Sequence, residues 1–159
     1  PAGVVEAGFA AVTSPGRLEV VRSSPTILVD AAHNPAGAEV LVDALEEAFG
    51  FTRLIGVVGV LGDKDAEGLL SVLEPVLAEI VVTQSSSPRS TEAEDLHELA
   101  VDVFGEDRVH LASRLDAALD IAATLAESED TIGVGTGAGV IVTGSVVLAA
   151  EARVLIGRG

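Results

Sequence analysis

Asp30, His33 and Asn34 stand close together at the end of an apolar, β-branched run, Thr26-Ile27-Leu28-Val29. A carboxylate in such a place can accept hydrogen bonds from ribose hydroxyls, and an imidazole can neutralise phosphate oxygens. Three further polar groups follow apolar runs in the same way. These are Gly62-Asp63-Lys64-Asp65, Ser87-Pro88-Arg89 and Thr143-Gly144-Ser145, while Arg17 lies just ahead of the first runs. Lys64 and Arg89 carry the charge needed to hold a carboxylate or a phosphate. Each residue also has a plainer reading. Asp30 suits a helix cap, although Asn34 suits it as well. Lys64 between two aspartates suits a solvated turn, Arg89 an exposed surface, and Arg17 a salt bridge within a hairpin. His97 and His110 read as surface or helix-face residues.

The elements that position these groups follow from periodicity. Residues 18–22 and 26–30 read as a hairpin, with Arg22-Ser23-Ser24-Pro25 between them. Asn34-Pro35 pairs a good N-cap with the residue that best tolerates the first helical position. Val40, Leu41, Ala44, Leu45, Ala48 and Phe49 then recur at helical spacing up to Gly50. Strands are expected at 53–61, 79–83, 108–111 and 140–143. Helices are expected at 66–74, from a Thr91-x-x-Glu94 capping box, from Ser113 to Ala126, and at 145–156. Residues 127–138 read as a flexible loop, and 1–16 as a linker with a possible first strand. Regular alternation of strand and helix implies an α/β, Rossmann-like, three-layer domain. Its mostly parallel sheet would have about six strands, one of them antiparallel, with helices on both faces. The whole of 1–159 is expected to form one such domain. In a parallel sheet the carboxyl ends of the strands share one rim, so the polar groups converge there, at the edge where open α/β sheets bind ligands.

Composition narrows the chemistry. The chain has 9 Lys plus Arg against 25 Asp plus Glu and contains no Cys, Met, Trp or Tyr. An acidic surface of this kind argues against nucleic acid and anionic membranes as partners. Without cysteine there is no disulfide and no thiolate metal site, which suits a cytoplasmic protein. No secretory signal opens the chain. The uncharged stretch 131–150 is long enough to span a bilayer, but its glycines divide it into loop, strand and helix. No phosphate loop, no GxGxxG after a strand, no GxSxG elbow and no metal-ligand spacing of histidines is present, so no metal site is expected.

Ser14-Pro15-Gly16-Arg17-Leu18-Glu19 followed by Asp30-Ala31-Ala32-His33-Asn34-Pro35 resembles the C-terminal domain of the folylpolyglutamate synthases, within the Mur ligase superfamily. The Gly62–Asp65, Ser87–Arg89 and Val142–Ser145 segments look similar to it as well. The resemblance implies an ATP-dependent ligase that adds L-glutamate to the γ-carboxylate of a folate through an acyl phosphate. It implies that Arg17 and Asp30 bind ATP, with Asp30 on the ribose, and that His33 and Asn34 lie near the nucleotide. His33 and Lys64 would be catalytic. By analogy with related ligases Lys64 would hold the carboxylate of the incoming glutamate, assisted by Ser87 and Arg89. The family's phosphate loop and Mg²⁺ ligands belong to an N-terminal ATPase domain that this sequence does not include. The chain, which begins at Pro1, therefore reads as a fragment, expected to fold as a monomer but to be inactive alone. Two other readings stand beside this one: a bifunctional dihydrofolate synthase, and a stand-alone nucleotide-binding or interaction module.

Overall fold

A computed structural model describes residues 18–23, 25–128 and 137–158. Arg17, the 1–16 segment and most of the expected loop at 127–138 lie outside these described residues.

The chain opens with the expected hairpin. Strand β1 (Glu19–Ser23) pairs antiparallel with β2 (Thr26–Val29), with an irregularity between Val20 and Arg22. Helix α1 (Pro35–Ala48) follows, then β3 (Arg53–Val58), α2 (Ala66–Leu73), β4 (Glu79–Val82), α3 (Ala93–Phe104), β5 (Val109–Leu111), α4 (Leu115–Ser128), β6 (Ala138–Thr143) and α5 (Val146–Arg158). The six strands form one sheet in the order β1-β2-β6-β3-β4-β5, parallel except for β1. The last strand thus lies between β2 and β3, pairing Val29 with Val142 on one side and Val57 with Val142 on the other.

Alternation along the strands divides the core in two. Leu28, Leu54, Val58, Ile80, Val82 and Ile141 face α1, α2 and α3, where Leu41, Leu69, Leu70 and Leu96 cover them. Ile27, Val29, Ile55, Val57, Val81, Val140 and Val142 face α4 and α5, against Leu115, Ala118, Leu119 and Leu148. Both faces of the central strands are buried, so their sequences are continuously apolar rather than alternating. Truncating a fully buried leucine such as Leu70 to alanine would cost about 2–5 kcal/mol.

Several sequence expectations are corrected. Val40 is 63% exposed, and the core stripe of α1 is Ala38, Leu41 and Leu45. Strand β3 ends at Val58 rather than residue 61, and Leu61 instead bridges Ser90. The Thr91–Glu94 capping box does not form. Thr91 donates its backbone N–H to Val60 O (2.9 Å), which takes the donor that Glu94 would have to accept in the box, and α3 starts two residues later with the Gln84 side chain accepting the Ala93 N–H (2.8 Å). Helix α4 begins at Leu115 rather than Ser113 and runs to Ser128, into the stretch expected as loop. His110 is no bare surface residue, since its Nε2 meets Glu79 Oε1 at 2.6 Å.

Candidate functional site at the carboxyl edge of the sheet

Helix α1 leaves β2 towards one face and α5 leaves the neighbouring β6 towards the other. Their departure in opposite directions opens a crevice between the two strand ends, the topological switch point at which α/β sheets bind ligands. The sheet ladder runs one residue past β2, with the Asp30 N–H on Val142 O at 3.0 Å. The loop from Asp30 to Asn34 is then fastened to the end of β6. Ala32 O accepts the Gly144 N–H at 3.0 Å and the Thr143 hydroxyl at 3.4 Å. Gly144 has φ of +118°, and a Cβ on it would stand 2.3 Å from Gly59 O. Only glycine meets both the backbone conformation and the close approach of β6 to β3.

Asp30 is 7% exposed. Its Oδ1 accepts the Leu18 N–H and its Oδ2 the Ala32 N–H, both at 2.8 Å. Two of the roughly four acceptor positions of the carboxylate are thereby committed to backbone donors. Asp30 does not cap α1; Asn34 does, accepting the Gly37 N–H on Oδ1 at 2.7 Å. Asp30 instead ties Leu18, just ahead of β1, to the switch loop. His33 is half-buried, and its Nδ1 lies 3.1 Å from Ala31 O. A carbonyl can only accept, so Nδ1 carries the proton in that contact, leaving Nε2 with no partner among the described residues.

The second group lies beyond β3 and β4. Their loops are joined by the Leu61–Ser90 bridge and by the Gly62 N–H on Arg89 O at 2.8 Å. This brings Lys64 and Arg89 to one carboxylate, Asp63 Oδ2, at 4.0 and 3.2 Å. Ser87 supports the turn rather than the cations, accepting the Arg89 N–H on Oγ at 3.1 Å. Asp65 caps α2 by accepting the Gly68 N–H at 2.9 Å. Lys64 is the only lysine in the sequence. Other cations are used elsewhere: Arg53 pairs with Glu79, Arg108 with Glu74, and Arg153 with Glu19. Arg114 pairs with Asp116 inside its own turn at the far end of the sheet. Lys64 and Arg89 are therefore the cations carried on the loops that leave the carboxyl ends of β3 and β4.

One partner escaped the sequence reading. Ser86 donates both its backbone N–H and its hydroxyl to the Glu151 carboxylate, clasping the β4–α3 loop to α5. The one signal for it was an acid set within an otherwise apolar and basic helix.

Among the described residues no group of three or more His, Asp or Glu side chains could hold a metal ion. None of the described helices is long and apolar enough to cross a membrane.

Residues 16–139 match the family described as Mur ligase, glutamate ligase domain. The chain belongs to this family. The glutamate ligase domain is 51% identical over 159 residues to the dihydrofolate synthase/folylpolyglutamate synthase of Mycobacterium tuberculosis, covering 97% of this chain and 33% of that protein. A crystal structure of the M. tuberculosis folylpolyglutamate synthase complexed with ADP and AMPPCP superposes with a TM-score of 0.88 at 50% identity, covering 95% of this chain and 34% of that one. The bifunctional folylpolyglutamate synthase/dihydrofolate synthase of Yersinia pestis, complexed with AMPPNP and Mn, superposes at 0.71 with 28% identity, covering 92% and 32%. The domain thus spans about a third of the length of the relatives it matches. Asp30, His33, Asn34, Lys64, Ser87 and Arg89 all fall inside the matched range, whereas Thr143, Ser145 and Glu151 lie beyond it.

Proposed function

We propose that this domain supplies one wall of the ATP and glutamate site of a folylpolyglutamate synthase, an ATP-dependent ligase that joins L-glutamate to the γ-carboxylate of a folate. The observation that carries the reading is the convergence of Lys64 and Arg89 beside a switch-point crevice, on a chain whose surface is otherwise acidic. ATP, when bound, supplies the phosphoryl group that activates the folate carboxylate. The donor set suits a nucleotide: Asp30 is an anchored carboxylate at the crevice, and His33 presents Nε2 beside the α1 N-terminus. Arg17, adjacent to Leu18 in sequence, is proposed to join them, with Asp30 on the ribose. Asn34 acts through the cap that sets the direction of α1.

Lys64 and Arg89 engage the carboxylate of the incoming glutamate and hold its amine towards the activated carboxyl. The ends of β2 and β3 are two strand spacings apart, about 10 Å, so both groups can serve one reaction centre. Fixed cations of this kind stabilise an anionic tetrahedral intermediate without reorganising. Metal ligands and the phosphate loop are assigned to a separate ATPase domain, which closes on this one and excludes water. The enzyme acts as a monomer in the cytoplasm, and the 159-residue chain alone is expected to show no ligase activity. A bifunctional enzyme that also makes dihydrofolate would use the same wall.

Steady-state kinetics of the full-length enzyme test this. Removing the charge with Lys64→Met is expected to raise the KM for L-glutamate at least about ten-fold, the loss of one charged hydrogen bond, with the KM for ATP unchanged. An unaltered glutamate KM would overturn the assignment.

A further inference from the structure

We propose that Asp63 is an internal stand-in for the substrate carboxylate, occupying the space between Lys64 and Arg89 and setting the affinity of the glutamate site. The inference rests on the reading that these two cations receive glutamate, and it concerns a residue to which that reading gives no role. Arg89 donates to Asp63 Oδ2 at 3.2 Å, and Lys64 Nζ stands 4.0 Å from the same oxygen, within Coulombic reach, so one carboxylate oxygen faces both cations.

Asp63 could act instead by placing the two loops, but the backbone already does that. The Arg89 N–H is held by Ser87 Oγ at 3.1 Å, and its carbonyl accepts the Gly62 N–H at 2.8 Å. Lys64 is likewise held through its own N–H on Leu61 O at 3.2 Å. With both loops fixed by main-chain bonds, the Asp63 side chain adds little to their placement. What it adds is a negative charge that the substrate must displace. Asp63 and Arg89 are 55% and 66% exposed, so the bridge between them is weak and readily exchanged. Lys64, at 31% exposed, is the better-shielded half of the fork. The arrangement keeps the two cations matched and soluble when glutamate is absent, at the expense of affinity for it.

The test is the glutamate KM of the full-length enzyme carrying Asp63→Asn, which is isosteric and keeps a polar turn residue. Removing one like charge about 4 Å from the substrate carboxylate in water changes an equilibrium by about five-fold. The expected result is a KM lowered about five-fold, with kcat and the KM for ATP unchanged. The gain should fade in about 1 M salt, where charges are screened within about 3 Å. A glutamate KM that is unchanged or raised by Asp63→Asn, while Lys64→Met alone raises it, overturns the stand-in and leaves the site assignment standing. If Lys64→Met has no effect either, the site assignment falls and the stand-in with it.

Discussion

Asp30 offers the sharpest separation of scaffold from site. Replacing it with alanine strips two partly buried backbone N–H groups, those of Leu18 and Ala32, of their acceptor. Hydrogen bonds to a charged group contribute about 1.5–3 kcal/mol each, so the pair is worth about 3–6 kcal/mol. Relief from burying the charge offsets part of this, leaving about 3–4 kcal/mol. Asp30→Asn keeps one acceptor oxygen and turns its amide NH2, a donor, towards the other N–H, so it should lose about half as much. In a chain of this length each kcal/mol moves the midpoint by about 2–4 °C, which places Asp30→Ala about 10 °C below the parent and Asp30→Asn about 5 °C. The chain contains neither Trp nor Tyr, so unfolding is best followed by far-UV circular dichroism or calorimetry. An Asp30→Ala midpoint within about 1 °C of the parent would refute the anchoring role, since two partly buried donors left without their charged acceptor cost more than that. In the full-length enzyme Asp30→Asn, which keeps the fold, should raise the KM for ATP and leave that for glutamate alone.

Two further outcomes are expected. Gly144→Ala meets an unfavourable φ and a backbone oxygen at 2.3 Å, and should destabilise the chain by about 3–5 kcal/mol, read by the same melting experiment. A midpoint unchanged by this substitution would mean that β6 and β3 can part at no cost. Glu151→Ala should lower stability by less than about 1 kcal/mol, because the contact is exposed, yet speed amide hydrogen exchange at Ser86. Exchange there that matches the parent would show that the clasp does not hold the loop.

The architecture was legible because its signals are local or periodic. Continuous apolar runs mark strands buried on both faces, and Asn34-Pro35 announces α1 as a cap and a first turn. What failed were local signals overruled by distant partners. Thr91 has the composition of a cap, but Val60 takes its N–H and Gln84 replaces it at the helix. Val40 fits the helical stripe yet faces solvent, since helical periodicity alone does not fix the angle of the face. The site residues were found by their place at strand ends, a property of topology that alternation conveys. Their pairings were not legible. Nothing local places Arg89 on Asp63 or Ser86 on Glu151, because each contact depends on how two loops or a loop and a helix meet across the rim.

The position of β6 carries a consequence for how the chain is made. The strand that joins the two halves of the sheet is also the last of the six described strands to be synthesised. Until it arrives, β2 and β3 each present a bare edge, and two apolar faces lack the strand that would align them. Pairing Val29 with Val142 closes a very long loop, so its entropy is lost before the contacts repay it. The nascent chain would therefore hold two sticky half-sheets with room between them, and any homologous strand could enter the gap. A chain truncated before residue 138 should be an aggregation-prone species rather than a smaller version of this fold.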